Sequence, residues 1–122
     1  MSKRILIVDD SSFARSMLNE ILVKHGYDIA GEAGNGSEAL EKYDRLQPDL
    51  VTMDVAMPGL SGVNTLKEII GRRPEARVVM VSSVHSVEIV KEALLAGAVD
   101  YVLKPYTKER LLKAVEKALG QG

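Results

Sequence analysis

The sequence predicts an α/β protein in which five parallel strands alternate with five helices and form a doubly wound three-layer sandwich. Three observations lead to this fold class. Short apolar runs rich in β-branched residues alternate five times with segments whose apolar residues recur at helical spacing. Four of the five short runs are apolar over most of their length, which is typical of strands covered on both faces, whereas residues 28–33 are a weaker strand candidate that holds Gly31. A closed barrel would need eight such units, whereas this chain of 122 residues contains five.

The first two strand–helix units precede Pro48. Strands are predicted over residues 4–8 and 28–33, and the first helix over residues 12–25. A turn at residues 34–37 leads into the second helix, which Pro48 closes. The predicted inward-facing residues are Phe13, Met17, Leu18, Ile21 and Leu22 in the first helix and Ala39, Leu40, Tyr43 and Leu46 in the second.

The remaining three units follow the same pattern. The predicted strands cover residues 50–53, 77–81 and 99–103. Ser61 is the predicted N-cap of the third helix, and the fourth and fifth helices are predicted over residues 87–96 and 108–119. Each crossover between parallel strands is right-handed and packs its helix on the sheet. Five strands in a doubly wound fold suit the order 2-1-3-4-5, which gives a flavodoxin-like sheet with its reversal between strands one and three.

The amino-acid composition excludes several kinds of structure and binding site. With 46% hydrophobic residues, the chain can bury one core, so a single domain over residues 1–122 is expected. The absence of cysteine excludes a disulfide framework, a thiolate zinc site and a cysteine nucleophile. A net charge of −1 argues against a broad nucleic-acid-binding surface. The apolar run at residues 5–8 is too short for a signal peptide or membrane insertion, so a cytoplasmic location is expected.

Four strand ends bring chemical groups to one edge of the predicted sheet. Asp9 and Asp10 leave strand one next to Asp54, which ends strand three at the switch point where ligands bind. Two unit charges about 4 Å apart near a surface interact by about 4 kcal/mol, so these acids need a cation or a shifted protonation. All-oxygen ligands suit a hard divalent ion, Mg²⁺ or Mn²⁺. Ser82 after strand four and Lys104 after strand five complete a site suited to phosphoryl groups.

Each of these residues also has a structural interpretation. An aspartate after a strand is commonly a turn former or a helix N-cap, and Asp9 or Asp10 could serve the first helix in this way. Ser82 could be a cap, and Lys104 could be a solvated surface charge. The joint arrangement favours a functional site, because complementary groups stand at the ends of four different strands.

These motifs resemble the receiver domain of two-component response regulators, in its stand-alone, CheY-like form. The resemblance rests on the pair Asp9-Asp10, the turn Asp54-Val55-Ala56-Met57-Pro58-Gly59 with Gly62, the strand end at Ser82 and the pair Lys104-Pro105. It covers essentially the entire chain, and the set in this order and spacing is highly specific. The fold therefore follows from the resemblance as well as from the pattern, since this strand order is known in that family.

The resemblance implies a phosphorylation switch rather than an enzyme. A sensor histidine kinase would phosphorylate Asp54, with self-catalysed phosphotransfer and autodephosphorylation. The metal, Mg²⁺ or Mn²⁺, would be held by Asp9, Asp10, Asp54 and the backbone carbonyl of Ala56. Lys104 would pair with the phosphoryl oxygens, Ser82 would hydrogen-bond one of them, and Tyr101 would move inward as Ser82 shifts. The Lys104–Pro105 peptide bond is expected to be cis.

The output implied by the resemblance is binding of a downstream protein, in chemotaxis or a related pathway. The expected surface is the face formed by the fourth helix, the fifth strand and the fifth helix, including Lys91, Tyr106 and Lys108. The small side chain of Ala56 leaves room for water or for an external phosphatase. The protein is expected to be monomeric.

Four alternatives to a stand-alone switch differ from it at identifiable residues. Residues 13–15 and 78–83 also resemble the receiver half of chemotaxis methylesterases, so a part of a larger regulator remains open. An aspartate-nucleophile phosphatase needs a second acid where Ala56 stands, which makes this enzyme class unfavourable. A flavin carrier is disfavoured because the loop after strand one is acidic. A degenerate receiver is disfavoured because Asp10, Asp54, Ser82 and Lys104 are all present.

Overall fold

The computed structural model describes residues 2–120. Its five strands are β1 (Arg4–Val8), β2 (Asp28–Ala33), β3 (Leu50–Met53), β4 (Val78–Ser82) and β5 (Asp100–Leu103). Its five helices are α1 (Ser12–Lys24), α2 (Gly36–Leu46), α3 (Gly62–Arg72), α4 (Val87–Leu95) and α5 (Lys108–Ala118). All strand pairs are parallel and the order is β2-β1-β3-β4-β5, which confirms the predicted fold.

Polar side chains cap all five helices at their N-termini. The caps are Ser11, Asn35, Ser61, Ser86 and Thr107, and each side-chain oxygen accepts a hydrogen bond from the backbone N–H three residues later. Such a cap stabilises a helix by about 1 kcal/mol. Because Ser11 caps α1 and Ser86 caps α4, neither the aspartates after β1 nor Ser82 is needed for that role.

Two apolar clusters lie on opposite faces of the sheet. Along β1, Leu6 and Val8 face the cluster beneath α2, α3 and α4, whereas Ile5 and Ile7 face the cluster beneath α1 and α5. This alternation follows from the period of two in a strand, since neighbouring side chains point to opposite faces. The central strands β1, β3 and β4 are therefore buried on both sides, as their apolar sequences predict.

The prediction that Phe13 and Met17 face the core is wrong. Phe13 is 74% exposed and Met17 is 43% exposed, although Leu18 and Leu22 on the same helix are buried. Because successive residues of a helix are about 100° apart, Phe13 lies about 140° from Leu18 and about 180° from Leu22, away from the side of α1 that is buried. The two side chains line a shallow apolar groove with Pro105 instead.

No helix among residues 2–120 is both long enough and apolar enough to cross a membrane. The longest of them, α1, has 13 residues and carries charged side chains. A membrane-spanning helix needs about 20 predominantly apolar residues.

Thr52 lies in the core with its hydroxyl unpaired. Its side chain is fully buried between Ile7 and Val79 on the neighbouring strands, and Oγ1 has no hydrogen-bond partner among the described residues. A buried polar group without a partner carries a desolvation penalty. We therefore expect Thr52→Val to raise the free energy of unfolding by about 1 kcal/mol, measured by urea denaturation.

Thr65→Val is the matched control for this substitution. Thr65 is equally buried, but its hydroxyl donates to the Ser61 carbonyl at 2.8 Å, so the same change should lower the free energy of unfolding by about 1 kcal/mol. A loss of stability in Thr52→Val comparable to that of the control would contradict the assignment of an unpaired hydroxyl.

Candidate functional site

Three carboxylates meet at the edge of the sheet where the strands end. One oxygen from each of Asp9, Asp10 and Asp54 lies within 4.8 Å of the other two. The backbone N–H of Asp54 donates to the Val8 carbonyl at 2.9 Å, so the end of β3 lies directly beside the end of β1. Asp9 and Asp54 are buried, whereas Asp10 is exposed. The structure thus brings together the three acids that the strand order predicts.

Lys104 lies inside this site and contacts Asp9. Its Nζ donates to Oδ2 of Asp9 at 2.6 Å, while Oδ1 of Asp9 accepts from the Ser11 backbone N–H at 2.9 Å. The Lys104 backbone N–H donates to the Ser82 carbonyl at 2.9 Å and so continues the pairing of β5 with β4 by one residue. The peptide bond between Lys104 and Pro105 is cis. Lys104 is therefore not a solvated surface charge.

The Asp54 carboxyl occupies an environment that disfavours its charged form. Burial raises its pKa above the usual range, and the negative charge of Asp9 acts in the same direction. The Lys104 ammonium, a hydrogen bond from the Ser82 hydroxyl and one from the Val55 backbone N–H lower the pKa without cancelling the effect of burial. A cation bound next to Asp54 would offset the free-energy cost of ionising this buried carboxyl group.

Ser82 and Tyr101 both contact the loop between β4 and α4. The Ser82 hydroxyl is fully buried and accepts from the Val84 backbone N–H at 3.1 Å. The Tyr101 hydroxyl donates to the Val84 carbonyl at 2.5 Å, and the ring is 7% exposed, so Tyr101 points inward. Burial raises the pKa of Tyr101, the Ser82 side chain lowers it, and the Asp54 charge raises it. A movement of Ser82 would therefore be transmitted to Tyr101 through Val84, whose backbone both side chains contact.

Gly62 packs against the backbone of Asp54. A Cβ atom at Gly62 would lie 1.8 Å from the Asp54 carbonyl oxygen and 2.7 Å from the Val55 Cα. The Gly62 backbone N–H donates to the Val55 carbonyl at 2.9 Å. In the sequence, Gly62 is only one member of a motif. The structure shows that α3 begins in direct contact with the backbone of Asp54 and Val55, which only glycine permits.

The donor set fits a hard divalent cation. Mg²⁺ binds oxygen ligands at about 2.1 Å, so opposite ligands are separated by roughly 4 Å. The three carboxylates spread over a similar distance. No histidine or cysteine takes part in this cluster, which disfavours softer metals. Ala56 lies exposed in the turn that follows Asp54, close in sequence to the cluster.

Arg15 is a neighbour of the site that sequence reasoning missed. Its Nη1 atom donates to the backbone carbonyl of Asp9 at 2.5 Å. An arginine in the first turns of a helix is normally a solvated surface residue. No sequence pattern distinguishes Arg15 from such a residue, because the contact depends on how α1 sits on β1.

Exposed apolar side chains mark the face formed by α4, β5 and α5. The large exposed apolar side chains of α4 and β5 are Val87, Leu94, Leu95 and Leu103. Leu95, which is 85% exposed, lies on the side of α4 towards α3, where it lines a groove with Lys67. Tyr106, at the start of the loop before α5, is half-buried, and burial followed by the Asp9 charge raises its pKa. The predicted output surface therefore includes apolar groups that water does not favour.

Comparison with known proteins identifies related sequences and structures. Residues 5–116 match the family model of the response regulator receiver domain. The chemotaxis protein CheY of Thermotoga maritima is 47% identical over 117 residues, which cover 96% of this chain and 98% of that protein.

Two solved structures are also similar. The response regulator domain of Thermotoga maritima CheB has a TM-score of 0.90 and 38% identity, with 98% of each chain covered. The complex of CheX, CheY, BeF3 and Mg from Borrelia burgdorferi contains a similar chain with a TM-score of 0.91 and 34% identity. The match covers 93% of this chain and 87% of that one.

Proposed function

Because the chain belongs to the response regulator receiver domain family, we propose that Asp54 accepts a phosphoryl group from a sensor histidine kinase and thereby switches the binding of a partner. The observation that supports this site most directly is the convergence of Asp9, Asp10 and Asp54 with Lys104 at the ends of three strands. Receiver domains are switch proteins, and this chain is one of the CheY-like type.

In the proposed reaction, a carboxylate oxygen of Asp54 attacks the phosphorus of a phosphohistidine. The new O–P bond forms as the N–P bond breaks, and the electron pair of the broken bond leaves on the imidazole. Asp9, Asp10, Asp54 and the Ala56 carbonyl would hold Mg²⁺ or Mn²⁺, which supplies positive charge to the phosphoryl oxygens. Lys104, already at 2.6 Å from Asp9, is within reach of the same oxygens. Autodephosphorylation by water would return Asp54 to its free form.

The proposed switch runs from Asp54 through Ser82 to Tyr101. A phosphoryl oxygen on Asp54 would accept from the Ser82 hydroxyl and draw Ser82 towards Asp54, while the same hydroxyl oxygen accepts from the Val84 N–H. The loop that contains Val84 would shift, and the bond from the Tyr101 hydroxyl to the Val84 carbonyl would change with it. This path connects the acceptor to the face of α4, β5 and α5.

The proposed output is the binding of a protein in chemotaxis. The exposed apolar residues of α4 and β5 support a protein partner, and the relative crystallised with CheX is an example of such a complex. We propose that the phosphotransfer and partner binding take place in the cytoplasm and that the chain acts as one monomeric domain. The small side chain of Ala56 would leave room for a phosphatase. The balanced charge supports neither nucleic acid nor membrane insertion as part of this function.

Labelling with a small phosphodonor tests the site. Incubation with acetyl phosphate and Mg²⁺ should add one phosphoryl group, and mass mapping should place it on Asp54. Asp54→Asn should abolish labelling, because the amide is not a nucleophile for this transfer. Asp28→Asn, the same change at an exposed carboxylate on β2, should leave labelling intact. Undiminished labelling of Asp54→Asn would refute the assignment.

A second candidate is the receiver half of a larger regulator. The Thermotoga maritima CheB domain, 38% identical with a TM-score of 0.90, favours this possibility specifically. In that case phosphorylation of Asp54 would regulate a methylesterase domain on the same polypeptide. The length of the natural open reading frame distinguishes this arrangement from a stand-alone switch.

A further inference from the structure

We infer that Arg15 is a positioning residue for the metal site, because it holds the backbone of Asp9 and thereby aims the Asp9 carboxylate. This inference rests on the proposed function, in which Asp9 and Asp10 bind Mg²⁺. It assigns a role to a side chain on α1 that itself carries no ligand atom for a cation.

The Arg15 guanidinium is fixed between two groups. Its Nη1 donates to the Asp9 carbonyl at 2.5 Å, and its Nε donates to Oε1 of Glu32 at 3.0 Å. The second oxygen of Glu32 accepts from Nδ2 of Asn19 at 3.2 Å. Only 21% of the Arg15 side chain is exposed. The planar guanidinium therefore has a defined orientation, since its donors point in fixed directions.

The strand that carries Glu32 is itself held in place. The Glu32 carbonyl accepts from Nζ of Lys42 on α2 at 2.5 Å. The next residue, Ala33, accepts from the Asp9 backbone N–H at 3.0 Å. The backbone of Asp9 is thus bound on both sides, with its N–H on Ala33 and its carbonyl on Arg15.

This arrangement determines where both acids point. The carbonyl bound by Arg15 belongs to the planar peptide unit that joins Asp9 to Asp10. A change in the ψ angle of Asp9 alone, which the Arg15 contact restrains, would alter the direction of the Asp10 side chain relative to that of Asp9. It would also move the Ser11 backbone N–H, which donates to Oδ1 of Asp9 at 2.9 Å. Loss of the Arg15 contact should therefore loosen the acid pair as a whole.

The positive charge of Arg15 and its positioning role predict opposite effects on Mg²⁺ affinity when the side chain is removed. As a cation near three carboxylates, Arg15 weakens the attraction of the site for Mg²⁺, so removing its charge alone would tighten binding. As a positioning residue, it organises the ligands, so removing it would weaken binding. The sign of the change in affinity thus separates the two roles.

The Arg45–Glu41 pair provides a matched control. Arg45 pairs with Glu41 at 2.8 Å on α2, and both side chains are 58% exposed. Arg45→Met and Arg15→Met each remove one positive charge and one ion pair. Only Arg15 contacts the site, so electrostatic effects common to both variants can be subtracted.

Calorimetric titration of the full chain with Mg²⁺ alone gives the first readout. We expect Arg15→Met to bind Mg²⁺ about tenfold more weakly than the wild type, as found for residues that orient metal ligands. Arg15→Lys, which keeps the charge but not the forked geometry, should also bind more weakly, and Arg45→Met should match the wild type. Unchanged or tighter binding in Arg15→Met would overturn the inference.

Amide hydrogen exchange without metal gives the second readout. The Ser11 amide should exchange faster in Arg15→Met than in the wild type or Arg45→Met, because its bond to Asp9 depends on the loop geometry. If the wild type binds no Mg²⁺, the proposed function fails, while Ser11 exchange still decides the role of Arg15. Equal Ser11 exchange in Arg15→Met and the wild type would overturn the inference.

Discussion

Gly62→Ala is expected to lower the free energy of unfolding by about 3 kcal/mol or more and to prevent labelling of Asp54. The added methyl group would lie 1.8 Å from the Asp54 carbonyl oxygen, well inside contact distance. That atom belongs to the backbone and cannot rotate away as a flexible side chain would. Either α3 or the turn that begins at Asp54 must move, and both movements disturb the position of Asp54.

Gly71→Ala tests whether this effect is specific to position 62. Gly71 lies on the same helix, and a Cβ atom there would meet nothing within 4 Å. Because alanine is the better helix former, Gly71→Ala should raise the free energy of unfolding by about 1 kcal/mol. Urea denaturation and acetyl phosphate labelling of both variants measure the effect. Wild-type stability in Gly62→Ala would show that the turn is free to shift.

Asp54→Asn is expected to stabilise the metal-free protein at neutral pH by on the order of 2 kcal/mol. The substitution removes one of three clustered negative charges while keeping the size of the side chain. It also removes the penalty of burying a carboxylate, which is the main reason why the Asp54 pKa is raised. Lys104 offsets part of the repulsion, so the gain is smaller than the full interaction of two bare charges.

The pH dependence of this gain has a defined sign. A folded-state pKa above the usual 3.8 means that the ionised form of Asp54 destabilises the fold at neutral pH. The penalty diminishes as the pH falls through the folded pKa, and it disappears below 3.8, where both states are protonated. The difference in unfolding free energy between Asp54→Asn and the wild type should therefore stay constant above the folded pKa and shrink as the pH falls through it towards 3.8.

Magnesium provides a further check on the same variant. Millimolar Mg²⁺ should raise the melting temperature of the wild type, because a ligand that binds the folded state stabilises it, and should raise that of Asp54→Asn less. Asp28→Asn should behave as the wild type in both experiments, since Asp28 is exposed. An Asp54→Asn variant that is less stable than the wild type at pH 7 would contradict the proposed repulsion.

The sequence predicts the fold well because four of the five strands are compact apolar runs and helical segments separate all five. The bounds of β1, β2 and β3 agree with the predicted residues 4–8, 28–33 and 50–53. Helix ends differ by one residue, as at α4, which ends at Leu95 and is followed by Ala96 as its C-cap. Such ends depend on local hydrogen bonds that composition does not reveal. The convergence of the acids follows from strand order alone, so it was predictable as well.

Other features depend on how elements pack and were not predictable. Phe13, Met17, Leu18 and Leu22 span about half of the helix circumference, and periodicity alone does not say which part of that span the sheet covers. The contact between Arg15 and Asp9 depends on the position of α1 relative to the end of β1, which the sequence does not specify. Likewise, the need for glycine at position 62 comes from the close approach of α3 to the Asp54 backbone.

The ion pair between Lys104 and Asp9 joins residues 95 positions apart in the chain. Asp9 follows the central strand β1, whereas Lys104 follows β5, which is the last strand in the chain and an edge strand of the sheet. Contacts of such high sequence separation form late in folding, because a long loop must close first. A nascent or partly folded chain would therefore contain Asp54 without its lysine. In the proposed function, the full set of groups around Asp54 would therefore be present only after the last strand has joined the sheet.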